Sequence, residues 1–244
     1  DGVRFMTHPG RYTYTECEKR IHFKSERMQN TVLVEFGHYP SIESSWGYHW
    51  IAKPLSMQMK KEDELYYFEA QWSIPMKAHK NSNRAYISRK MILDTQAKLL
   101  LVIDEEESGH TLAQNFIIPT KHSNNVYSRF WTNGEMFTEA IQYSKRYNSL
   151  DEGIQLNIRN KKGPIFTCIA LEPYSVEKEI IPRVDCPGEE RGTKIKCKTK
   201  SGELTIYYSP EDIHNGLKYL KDSNGNIIYG RMVVEKNNQK IRFR

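Results

Sequence analysis

The chain has 244 residues, 38% hydrophobic and 27% charged, a globular balance with length for one large domain and a small appendage. Its net charge of +6 favours polyanionic partners. No stretch approaches the ~20 apolar residues of a membrane-spanning helix. The cations are scattered, with Lys-Lys pairs at 60–61 and 161–162 but no basic arm of the kind that binds nucleic acid. The opening residues DGVRFMTHPG lack a secretory apolar core. A start on Asp1 is what a processed chain, an excised domain or a chain missing its beginning would show.

The first informative stretch is HPGRYTYTECEKRIHFKSERMQNTVLV, residues 8–34. Pro9-Gly10 marks a turn, and an extended strand after it would put Arg11 and Thr13 on one face and Tyr12 and Tyr14 on the other. Short β-branched or aromatic runs then recur at 30–36, 64–74, 84–94, 98–105, 115–120, 153–160 and 164–171, and again at 194–200, 203–209, 226–236 and 240–244. Asn, Gly, Ser and Asp clusters separate them, and SNGN at 223–226 signals a hairpin. Helical pattern is scarce. GEMFTEAIQYSKRYN (134–148) reads as a short helix or a loop with one turn. SPEDIHNGLKYL (209–220) reads as a helix capped by Ser209, or as a helical turn between strands. The pattern predicts a mostly-β protein, a large antiparallel β-sandwich with few short helices. Residues 1–175 would form the main sandwich, and 176–244 would add C-terminal strands and hairpins packed on it, with a soft boundary at 173–192.

Cys17, Cys168, Cys186 and Cys197 contain no Cys-x-x-Cys pair, so a cysteine-only zinc ribbon is not expected. Cys186 and Cys197 have the spacing of a cross-hairpin bridge, and free thiols fit equally well. Phosphate-binding glycine loops and a nucleophile elbow are both absent from the sequence. The DSNGN run at 222–226 lacks the downstream Glu of a calcium loop and reads as a turn.

Two residue classes suit an acidic sugar. Guanidinium groups of Arg11, Arg20 and Arg27 offer planar forks for carboxylate or sulfate. Tyr12, Tyr14, Trp46, Tyr48 and Trp50 offer faces for pyranose rings, with Trp46, Tyr48 and Trp50 alternating as on one strand face. Core packing of the aromatics and solvation of the arginines would give the same pattern. His38 and His49, set among aromatics, are further candidates for a sugar groove, against ordinary loop roles.

Gly-Arg-Tyr-Thr-Tyr at 10–14, Arg20, Phe23-Lys24-Ser25 and Asn30-Thr31-Val32-x-Val34 together resemble the start of the β-sandwich of heparinase II/III-type polysaccharide lyases. Arg89-x-Met-Ile-Leu-Asp94 followed by Leu99 to Asp104 resembles a strand pair of that family, and Ser144-x-x-Tyr147-Asn148 a turn of it. The likeness spans roughly 1–175 and is densest at 9–34. It implies an N-terminal helical toroid beside a C-terminal β-sandwich, with the cleft between them. It also implies β-elimination: a base takes the C5 proton of a uronate, an acid protonates the leaving oxygen, and the neutralised carboxylate stabilises the intermediate. Family members hold a structural zinc near the cleft. This chain has His8 where the family has Asp before Pro-Gly, and Gln29 where it has His before Asn-Thr. Gln is a poor zinc ligand and His8 alone cannot supply roughly four ligands, so neither metal nor cofactor is expected.

The resemblance thus points to the sandwich part of a lyase for acidic, uronic-acid-containing polysaccharides, secreted, periplasmic or at the cell surface, and dependent on a toroid for catalysis. Tyr14 and His8 are its catalytic candidates. Arg11, Tyr12, Arg20, Gln29, Asn30, Trp46 and Trp50 are its substrate-binding candidates. The alternative is a non-catalytic β-sandwich that binds glycan or protein. A third reading is a polyanion-binding protein of viral or host-interaction type.

Overall fold

The computed structural model describes residues 6–40, 42, 44, 46–48, 52–77, 84–107, 109–120, 128–181, 192–209 and 219–243. Helix α1 (Glu18–Lys24) and a 3-10 turn (Glu26–Met28) precede β1 (Val32–Val34), β2 (Lys53–Glu62), β3 (Leu65–Pro75) and β4 (Arg84–Asp94). Next come β5 (Leu99–Glu106), β6 (Leu112–Pro119), β7 (Arg129–Thr132), β8 (Glu135–Tyr143), β9 (Asp151–Asn160) and β10 (Ile165–Ala170). The last part holds β11 (Tyr174–Ile181), β12 (Gly192–Thr199), β13 (Gly202–Tyr208), β14 (Tyr219–Lys221), β15 (Ile227–Tyr229), β16 (Met232–Lys236) and β17 (Gln239–Phe243).

These strands build a four-stranded sheet (β1-β6-β9-β8), a six-stranded sheet (β2-β3-β4-β5-β10-β7), a five-stranded sheet (β11-β12-β13-β16-β17) and the β14–β15 hairpin. Every strand pairing described is antiparallel. The mostly-β antiparallel sandwich expected from the sequence is present, and its middle sheet is covered on both faces. Leu100 and Val102 of β5 join the core shared with Phe116, Leu156 and Ile158 of the four-stranded sheet. Their neighbours Leu99, Leu101 and Ile103 point the other way, into the core shared with Ile195, Leu204, Ile206 and Val234 of the five-stranded sheet. That is why KLLLVIDE reads as a continuous apolar run: alternate residues fill two different cores. Each such fully buried Leu or Ile contributes roughly 1.5–3 kcal/mol. Cys168 and Cys197 are free thiols packed into the second core. Cys186, the other half of the bridge considered from sequence, lies outside the described residues.

Two buried ion clusters fix the sheets. Arg89 of β4 grips Asp104 of β5 through Nε–Oδ1 and Nη2–Oδ2 contacts of 2.7 Å each, and the two residues are direct cross-strand partners. Lys90, 2% exposed, reaches Glu105 at 2.6 Å, and Glu105 also accepts bonds from Tyr208 and Arg231 of the C-terminal part.

Two local expectations are corrected. Residues 135–143 are strand β8, paired residue by residue with β9, not helix. Ile141 and Tyr143 alternate toward a packed face there, and tertiary pairing outweighs a loose helical spacing. The stretch after Gly10 is not an extended strand: Tyr12 has φ 59°, and the Thr13 amide donates back to the Arg11 carbonyl at 2.7 Å. The helix proposed over 209–220 falls almost wholly outside the described residues, and only Ser209, Tyr219 and Leu220 of it are described.

Candidate functional site

Residues 7–31 form a cap over the outer face of the four-stranded sheet. Phe23 and Met28 pack on Ile117 and Tyr143, with Tyr12 and Ile141 at the border. A seven-residue helix such as α1 is too short to persist alone, so this packing sustains it. Backbone bonds stitch the cap down: Thr7 to the Ile117 carbonyl (2.9 Å), Ser144 to that of Pro9 (2.7 Å) and Asn148 to that of Tyr12 (2.6 Å). Gly10 has φ +79°, and a Cβ there would lie 1.8 Å from the Ser144 carbonyl oxygen, so both conformation and space call for glycine.

A cleft of about 470 Å³ opens on the cap. His8, Arg11, Arg20, Lys24, Trp46 and Tyr48 line it, with Phe23 and Gln29 below. Among its described lining residues are three cations and no carboxylate. Arg20 and Lys24 share one face of α1 at i, i+4 spacing. Arg20 is buried, donates to the Thr13 carbonyl and lies 4.4 Å from the Trp46 ring centre. Lys24 Nζ donates to the Ser44 carbonyl (2.8 Å) and the Gly47 carbonyl (3.1 Å) and sits 4.3 Å from the Tyr48 ring centre. Desolvation, then the neighbouring Arg20 charge, lowers the Lys24 pKa below the ordinary lysine value, with Glu16 opposing. Tyr14 stacks on Trp46 (centroids 5.9 Å, 9° between planes) and on Tyr147 (5.7 Å, 26°), so three exposed rings form a column at the cleft rim.

His8, Arg11, Arg20, Gln29 and Trp46, singled out from sequence, thus meet at one cleft, and Tyr14 borders it. Three other expectations are revised. Asn30 does not line the cleft: its Oδ1 accepts from the Ile117 amide (2.7 Å) and its Nδ2 donates to the Thr7 carbonyl (2.9 Å). The side chain thereby continues the ladder beyond the end of β1. Tyr12 packs edge-on against Phe23, at 6.4 Å, rather than facing the cleft. Among the described residues Trp46 and Tyr48 lie outside the named strands, with a bridge from Ile42 to Tyr48, instead of on one strand face. Trp50 and His49 lie outside the described residues, and His38 does not line the cleft. Sequence reasoning missed Lys24 as a cleft cation. Reading EKRIHFK as helix would have found it, since that alone puts Lys24 beside Arg20.

The cleft does not suit the zinc implied by the family resemblance. Gln29 Nε2 donates to the Phe23 carbonyl at 2.9 Å, closing the end of α1, and an amide oxygen is a poor zinc ligand. His8 Nδ1 accepts the Gly10 amide at 3.0 Å. Among the described residues no group of three or more His, Cys, Asp or Glu side chains has the arrangement of a metal site.

No protein-family model and no curated protein matches the sequence. Among solved structures, the chain is similar to a heparinase III, the BT4657 gene product, with TM-score 0.52 and 14% identity over 84% of this chain and 34% of that one. It is similar also to heparan sulfate lyase HepC from Pedobacter heparinus, with TM-score 0.58 and 12% identity over 86% of this chain and 35% of that one. At such identities the likeness is one of fold, and this chain spans about a third of the length of each. The resemblance carried by residues 9–34 is met at that level: the chain has a heparinase III-type β fold.

Proposed function

We propose that this chain is the β-sandwich part of a polysaccharide lyase that cleaves uronate-containing glycans by β-elimination, working with a helical toroid of the same protein. One observation carries the reading: the cleft joins three cations, with no carboxylate in its described lining, to exposed aromatic rings. Arg11, exposed at the cleft, is placed to neutralise a uronate carboxylate, which makes the C5 proton easier to remove. Trp46 and Tyr48 seat the pyranose. Elimination then takes the C5 proton to a base, forms the C4–C5 double bond and breaks the C4–oxygen bond, and an acid protonates the departing oxygen. Because the Gly10 amide donates to His8 Nδ1, the neutral ring carries its proton on Nε2. His8 therefore offers a hydrogen bond to the substrate, Tyr14 is the proton donor at the rim, and the base belongs to the toroid. An acidic polymer as substrate fits a secreted, periplasmic or cell-surface location.

A binding-only glycan module is favoured by one further observation. Among the described lining residues His8 is the one imidazole, and its Nδ1 already accepts the Gly10 amide, so that nitrogen is not open to take a substrate proton. The test is to incubate the chain, alone and joined to its helical part, with heparan sulfate, hyaluronan, alginate and polyglucuronate. The readout is the ultraviolet absorbance of unsaturated uronate. A rise only in the joined protein supports the lyase reading. Binding without a rise in either form moves the assignment to the binding module.

A further inference from the structure

A second concavity, of about 750 Å³, lies on the same outer sheet face, where the cap stops. The cap covers Ile117, Ile141 and Tyr143 and ends in the 3-10 turn that carries Arg27. Beyond it the strand register lays out open rows. Asn115, Asn157 and Phe137 stand opposite one another across β6, β9 and β8, and Gln155 faces Glu139 in the row beside them. Directly opposed residues share a sheet face, so these side chains converge.

They form a connected network. Arg159 Nε donates to Asn157 Oδ1 (2.8 Å), Asn157 Nδ2 to Asn115 Oδ1, and Asn115 Nδ2 to the Arg27 carbonyl (3.3 Å). Gln155 donates to that same carbonyl. Asn115, 1% exposed, anchors the network from below. Phe137 is 42% exposed, with the Arg159 guanidinium 5.1 Å from its ring centre. The polar groups are held in place by one another, and the part-exposed amides of Asn157 and Gln155 keep bonding capacity to offer. The charges along the groove balance, Arg27 and Arg159 against Glu35 and Glu139, whereas the described lining of the cationic cleft holds three cations and no carboxylate.

We infer that this groove is a second carbohydrate site, one that takes uncharged pyranose units. Sugar hydroxyls are donors and acceptors at once, which amides match and a one-sign cluster does not. The C–H face of a pyranose fits the exposed Phe137 ring, and Arg159 supplies N–H donors beside it. Without a net field the groove has no preference for a polyanion. The inference stands independently of the lyase reading, because no step of elimination involves the groove.

The test uses the full ¹⁵N-labelled chain titrated with cellotetraose and with chitotetraose, beside an acidic tetrasaccharide of alternating uronate and hexosamine. A neutral tetramer should shift amide signals of 113–115, 135–139 and 155–159, with an affinity unchanged between low and high salt. Phe137→Ser should weaken that binding by about tenfold or more, and Lys60→Ala on the exposed edge strand β2 should leave it unchanged. Asn157→Asp, which keeps the size but removes the amide donors, should weaken it too. Shifts confined to the cap, no shifts with either neutral tetramer, or an affinity indifferent to Phe137→Ser would each overturn the inference. The mapping on the unaltered chain decides even if a variant folds poorly.

Discussion

The two concavities have no lining residue in common and differ in how they are made. The cationic cleft is formed by irregular backbone: a left-handed Gly10 and Tyr12, a seven-residue helix and a loop carrying Trp46 and Tyr48. The groove beside it is formed by regular strands whose register dictates which side chains meet. One concentrates charge of a single sign; the other balances it. A site on a cap can change its charge without disturbing the core. A site on a sheet is tied to pairing, so its chemistry is carried by short amides and a ring that fit the pleat.

Both should fail together if their common foundation is removed. Arg89 joins the buried Asp104 to the cap through an Nη1 bond to the Asn30 carbonyl of 2.7 Å. Arg89→Ala strands Asp104, which is 0% exposed, and should cost about 3–5 kcal/mol in urea unfolding. Binding of acidic and neutral sugars would be lost in parallel. Next in size is Gly10→Ala. It combines a strained φ with a clash on the Ser144 carbonyl, and should cost about 3 kcal/mol. It should release the cap and abolish acidic-glycan binding while amide signals of β6, β8 and β9 persist. Equal loss in the sheet would show that cap and sheet are one unit.

A control away from both regions is Glu69. Burial opposes its ionisation, but the Tyr67 hydroxyl, Lys90 and the Gln58 and Gln71 amides outweigh that and hold its pKa below the ordinary 4.5. A depressed carboxyl stabilises the fold above its unfolded value and loses that contribution as pH falls from about 4.5 through the folded value. Glu69→Gln should flatten this acid limb of the melting temperature and leave both sugar affinities at neutral pH unchanged. Arg11→Ala should weaken acidic-oligosaccharide binding by about tenfold and reduce its salt dependence, as calorimetry at two salt concentrations would show. The smallest effect expected is that of Glu139→Lys. By upsetting the charge balance of the groove it should give the acidic tetrasaccharide a few-fold gain there, of the order of 1 kcal/mol or less, and make that binding salt-sensitive.

The strands were legible wherever side chains alternate or where β-branched runs are bounded by turn residues. The hairpin at 222–226 was legible for a local reason. Asp222 accepts the amides of Asn224 (3.1 Å) and Asn226 (2.8 Å), and Gly225 takes φ +82°. Edge strand β2 was missed because it is exposed and mixes Lys, Gln and Met without a buried face. Strand β8 was missed because its partner, not its own pattern, makes it a strand. At the cleft, His8, Arg11, Arg20, Gln29 and Trp46 were legible as residue types. The work done by Gln29 and Asn30 was not, because both hold backbone groups that are near only in the fold.

By itself, then, the sequence determined that this is a basic, mostly-β chain with an aromatic and arginine-rich opening stretch, since composition and short-range alternation are local properties. Only the tertiary structure decided that His8, Arg11, Arg20, Gln29 and Trp46 share a cleft, that Lys24 joins them, and that Asn115, Asn157 and Phe137 meet in a groove. Those meetings depend on a cap folded over the sheet and on strand register, and both are set by contacts between residues far apart in the chain.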